Sequence, residues 1–93
     1  MNQIELIKEF INGAAEGVCS GGGNLKIREN QLIHYQTPIA ERKDGLFIIN
    51  TTRYSLVTGR IQKTLNEFIP PEKKTIVKGV AEGYKGTLSE FIN

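Results

Sequence analysis

The sequence predicts an α+β domain: a small antiparallel β-meander with two helices packed on it. Three observations carry that expectation. Apolar residues recur at helical spacing in two segments, near the N-terminus and again after residue 55. Between them the period changes to two, broken by turn residues. Helical and strand segments are also segregated along the chain, which argues against a doubly wound parallel sheet.

The elements follow in order. Asn2 with Glu5 forms a capping-box pattern, and Ile4, Ile7, Phe10, Ile11 and Ala14 recur at helical spacing. A first helix is expected over 3–13, closed by Gly13, with Lys8 and Glu9 on its outer face. Residues 17–23 are dense in glycine and read as a flexible loop. A phosphate cradle there lacks its motif, because Asn24 and Leu25 separate Gly23 from Lys26. Strands are expected over 24–29, 31–36, 38–42 and 46–50, with a turn at Asn30-Gln31 and Asn30 suited to positive φ. Pro38 should interrupt regular pairing, and Asp44-Gly45 is a strong hairpin turn. Leu46-Phe47-Ile48-Ile49 has the length and apolarity of a central strand.

Ser55 is positioned to cap a second helix over 56–69, with Val57, Ile61, Leu65, Phe68 and Ile69 on its apolar stripe. Pro70-Pro71 ends it. Gly59 weakens that helix and has a reason only if something approaches it closely. Residues 72–93 form a C-terminal arm, with a short strand near Ile76-Val77 and a last helical turn after Thr87. Phe47, Ile49, Ile61, Leu65 and Phe68 should lie in the core.

The chain of 93 residues fits a single domain, 1–93. No stretch is apolar for long enough to span a membrane. The first residues lack the cationic-then-apolar pattern of a secretory leader, so the expected location is the cytoplasm. One cysteine, Cys19, and one histidine, His34, offer neither a disulfide nor a metal site, and no cofactor is expected. Catalysis needs positioned acid, base or nucleophile groups, and the inventory is too thin to predict an enzyme. The small core and the apolar arm (Ile76, Val77, Val80, Leu88, Phe91, Ile92) lead to an expectation of a homo-oligomer.

Charge is distributed unevenly. Arg42, Lys43, Arg53, Arg60 and Lys63 face only Asp44 between residues 42 and 63, while the rest of the chain is net acidic. Such asymmetry marks a candidate anion-binding face. Around it, Tyr35, Thr37, Arg42, Arg53, Tyr54, Ser55, Thr58, Arg60 and Gln62 gather at strand ends and at a helix N-terminus. Unpaired helix amides favour phosphate or carboxylate, and the tyrosines offer stacking faces.

The segments Asn24-Leu-x-Ile, Tyr35-x-Thr37-x-Ile39-Ala40 and Tyr54-Ser55-x-x-Thr58-x-x-x-Gln62 resemble an uncharacterised domain of small phage and mobile-element proteins. The resemblance covers residues 24–65 and implies an accessory role without an established activity. Two functions are expected to compete. One is a noncatalytic factor that binds a host protein or nucleic acid and modulates or inhibits host defence or transcription machinery. The other is sequestration of a small anionic nucleotide at the basic helix N-terminus, by Arg42, Arg53, Tyr54, Ser55 and Arg60.

Overall fold

A computed structural model describes residues 1–19 and 24–92. The expected α+β architecture is present: two helices and a six-stranded sheet in the order β1-β2-β3-β4-β5-β6. Its elements are α1 (Gln3–Ile11), β1 (Glu16–Val18), β2 (Leu25–Arg28), β3 (Gln31–His34), β4 (Thr37–Lys43), β5 (Leu46–Asn50), α2 (Leu56–Phe68) and β6 (Lys74–Val77). Short 3-10 turns follow at Pro71–Lys73 and Leu88–Phe91. Strands β1 to β5 form an antiparallel meander, and β6 runs parallel to β5 after the α2 crossover. That parallel pair was not expected. A thirteen-residue helix is long enough to carry the chain back so that the next strand runs the same way.

Local chemistry accounts for most element ends. The capping box at Asn2 and Glu5 is formed in both directions, and Gly13, at φ 101°, follows the Asn12 cap. Ser55 caps α2 by accepting from the Thr58 amide. Asp44 and Gly45 both take positive φ in the two-residue turn between β4 and β5. The β3–β4 register shifts between Leu32 and Ile33, opposite Pro38, although β4 begins at Thr37 and includes the proline. In the preceding turn the positive φ falls on Glu29 rather than Asn30, and Gln31 is already in the strand. The Asn30 amide instead donates to the Arg42 carbonyl at 3.0 Å.

Other expectations need correction. Part of the glycine stretch is strand: Gly17 and Val18 lie in β1, the Cys19 amide donates to the Leu25 carbonyl at 2.9 Å, and residues 20–23 of that expected loop lie outside the described residues. A Cβ at Gly17 would stand 2.8 Å from Leu6 Cδ1, so glycine lets α1 press close to the sheet. On α1 the inward face is Leu6, Ile7 and Phe10, and Ile4 is exposed. On α2 the stripe narrows to Ile61 and Leu65, leaving Val57 and Phe68 exposed while Ile69 enters the core from the cap position. A Cβ at Gly59 would meet nothing within 4 Å, so no close approach among the described residues explains it.

Each sheet face has its own cover. The inner face, with Leu25, Ile27, Leu32, Ile39, Phe47 and Ile49, packs against both helices. On the outer face Ile48 and Val77 meet Val80 and Leu88 of the C-terminal arm, flanked by Tyr84 and Phe91. The arm therefore completes its own chain's core at Val77, Val80 and Leu88. Ile76 and Ile92 stay exposed.

Candidate functional site

The two-residue turn between β3 and β4 places Tyr35 and Gln36 at positive φ, 50° and 72°. Asparagine and glycine normally occupy such positions, so this backbone is strained. The strain holds the Tyr35 ring outward, 57% exposed, with its centroid 4.3 Å from that of His34. Opposite stands the N-terminal end of α2. Together they enclose a cleft of about 340 Å³ lined by His34, Tyr35, Thr37, Tyr54, Ser55, Val57, Thr58 and Glu82.

Five of the sequence-predicted residues meet here. Thr58, buried, places its hydroxyl 2.8 Å from His34 Nδ1 and 3.0 Å from Ser55 Oγ. This chain of two hydroxyls and an imidazole ties the β3 end to the helix cap. Burial pushes the His34 imidazole below its ordinary 6.5, so the neutral form persists. Tyr54 donates from its hydroxyl to the Val80 carbonyl at 2.5 Å and accepts from Asn50 Nδ2 at 2.9 Å. Thr37 Oγ1 accepts from the Gly83 amide at 2.9 Å. These bonds bring the arm across one side of the cleft and carry Glu82 to its wall.

The other four lie elsewhere. Arg42 donates to the Phe10 carbonyl at 2.8 Å and to the Glu29 carbonyl at 3.1 Å, with its guanidinium 4.8 Å from the centre of the Phe10 ring. It braces α1 against the sheet. Gln62, buried, donates to the carbonyls of Asn50 and Thr52 at 2.7 and 3.0 Å and fixes the polar connector. Arg53 and Arg60 are exposed and outside the cleft lining. The candidate cationic cluster is thus dispersed.

Sequence reasoning left His34 out of the site and missed Glu82 and Val57. The tight β3–β4 hairpin was the available signal for His34, since it brings the strand end beside Tyr35 and Thr37. No local pattern marks Glu82, which arrives by the folding-back of the arm. Among the described residues, no three His, Cys, Asp or Glu side chains are grouped to hold a metal ion. No described helix is long and apolar enough to cross a membrane. No protein-family model, curated protein or solved structure matches the chain.

Proposed function

We propose that this protein is a noncatalytic binding factor, of phage or mobile-element type, that engages a host protein through the cleft and so modulates or inhibits host machinery. The phage assignment rests on the resemblance in residues 24–65. The protein-directed reading rests above all on Tyr35, an exposed aromatic held at the rim by a strained turn. Strain of this kind costs about 1–3 kcal/mol per residue and collects where a side chain must be presented. Leu56, 82% exposed, and Val57, 46% exposed, stand on the α2 side. An aromatic beside aliphatic groups and a polar cleft suits a desolvated protein contact.

The nucleotide reading draws less support. Arg42 is committed to backbone carbonyls, Ser55 already caps the helix amide of Thr58, and Glu82 adds negative charge to the wall. A nucleic-acid-directed version depends on Arg53 and Arg60. Within the arm, Ile76 and Ile92 are the exposed aliphatic groups available to a second copy.

Affinity capture from bacterial lysate separates these. The protein should retain a partner that Leu56→Glu loses and that Arg53→Ala with Arg60→Ala keeps. Loss with the arginine pair alone, together with steep salt dependence, would move the function to a nucleic acid.

A further inference from the structure

The outer sheet face is only half covered. The arm packs over β4, β5 and β6, leaving a groove of about 700 Å³ above β3. Ile33 of β3 and Pro38 of β4, paired in register, form its floor. One flank is β2, where Lys26 lies opposite Ile33 and Arg28 opposite Gln31. The other is the arm at Tyr84–Thr87, which carries Lys85. Gln31 Nε2 closes the base by donating to Glu41 Oε1 and to the Gly86 carbonyl, both at 2.8 Å. The groove therefore follows the strand direction, from the Glu29-Asn30 turn at one end to Gln36 at the other.

We propose that this groove binds an extended acidic peptide segment of a partner protein. Charge carries the assignment. Lys26, Arg28 and Lys85 flank both sides, and no hydrogen bond or ion pair among the described residues engages their side-chain charges. The Glu41 carboxylate is occupied, accepting from Gln31, from the Thr87 hydroxyl at 2.5 Å and from the Leu88 amide at 2.9 Å. Glu29, at one end, is the remaining acid of the lining. A chain with carboxylates at alternate positions would set them toward the flanking cations and lay its backbone beside the side-chain amides of Asn30 and Gln36, which donate and accept as peptide groups require, and beside the Gln31 side-chain oxygen, which accepts. A single nucleic-acid strand fits less well. The one aromatic of the lining, Tyr84, is packed edge-on against Phe91 with ring centroids 5.1 Å apart, so it offers no open stacking platform.

The site is separate from the α2 cleft, and its failure leaves that reading intact. The two share no lining residue and adjoin along the β3–β4 hairpin, where Tyr35 lines the cleft and Gln36 the groove, and along the arm, where Glu82 lines the cleft and Tyr84 the groove.

Fluorescence polarisation with a labelled peptide alternating glutamate and alanine tests the proposal, against a lysine-alanine peptide and a single-stranded oligothymidine. The acidic peptide should bind saturably. Lys26→Glu with Arg28→Glu, and separately Lys85→Glu, should each weaken it about tenfold or more. Lys63→Glu, on exposed α2 surface, should not. Lys26→Gln with Arg28→Gln supplies a milder pair if the reversal perturbs folding, and thermal melts confirm that each variant is folded. Absence of binding, equal loss with Lys63→Glu, indifference to the groove substitutions in folded protein, or tighter binding of oligothymidine would overturn the proposal.

Discussion

The two faces of the sheet are sealed by different physics. The inner face is closed by side chains from α1 and α2, chiefly Leu6, Ile7, Phe10, Ile61 and Leu65. The outer face is closed by an arm with little regular structure, seated by directional bonds: Tyr54 to Val80, Thr52 to Val80, Thr37 to Gly83, and Glu41 to Thr87 and Leu88. Hydrocarbon burial is non-directional and supplies most of the folding drive. Polar tethers supply little net energy each, yet they fix one seat, because leaving their buried groups unpaired is costly. Stability should therefore reside on the inner face and placement on the outer. Both concavities described above are bounded by the placed arm, at Glu82 in one and at Tyr84–Thr87 in the other.

The strongest attack on that contrast is Leu65→Ala. Leu65 is fully buried between α2 and the sheet, and its truncation should cost about 2–5 kcal/mol of global stability, read from the urea midpoint. Glu41→Ala should act locally. It strips partners from the Leu88 amide and the Thr87 hydroxyl, a loss of about 1–3 kcal/mol. Hydrogen exchange should then quicken at Leu88 and its neighbours in the arm while the amides of β4 and β5 stay protected. Uniform acceleration through the sheet would mean that the two faces unfold together.

A smaller effect comes from pH. Burial lowers the folded-state pKa of His34, so the unfolded chain takes up this proton more readily than the folded one. Its stabilising contribution is complete above about 6.5 and is lost as pH falls below that value toward the folded pKa. His34 is the only histidine, and His34→Gln should flatten the slope of stability just below pH 6.5.

The contrast also explains what the sequence revealed. Helical and two-residue periodicities locate α1, α2 and the meander because repeated burial of hydrocarbon writes itself into spacing. Asp44-Gly45 announces its turn through glycine. Tyr35-Gln36 adopts positive φ just as fully, but neither residue signals it; tertiary context imposes that backbone. The tethers were illegible for a different reason. Thr37 and Gly83 lie far apart in the chain, as do Glu41 and Leu88, and no local pattern encodes their meeting. Strand β6 was half-seen for want of length. Tyr35, Thr37, Tyr54, Ser55 and Thr58 line one cleft because the ends of the β3–β4 hairpin and of α2 bring their polar residues together. Arg42 misled because a cation in a basic segment looks like a ligand for anions, while its actual partners are the carbonyls of Phe10 and Glu29.

On the proposed function, the turn at Tyr35 carries strain in order to present a binding residue. Replacing it with the residues its backbone favours, Tyr35→Asn with Gln36→Gly, tests this directly by pairing thermal unfolding with partner capture. The melting temperature should rise, by roughly 5–10 °C for about 1–2 kcal/mol of relieved strain, while capture through the cleft is lost. A variant that melts no higher, or that is stabilised and still holds the partner, would mean that the strain does not serve binding.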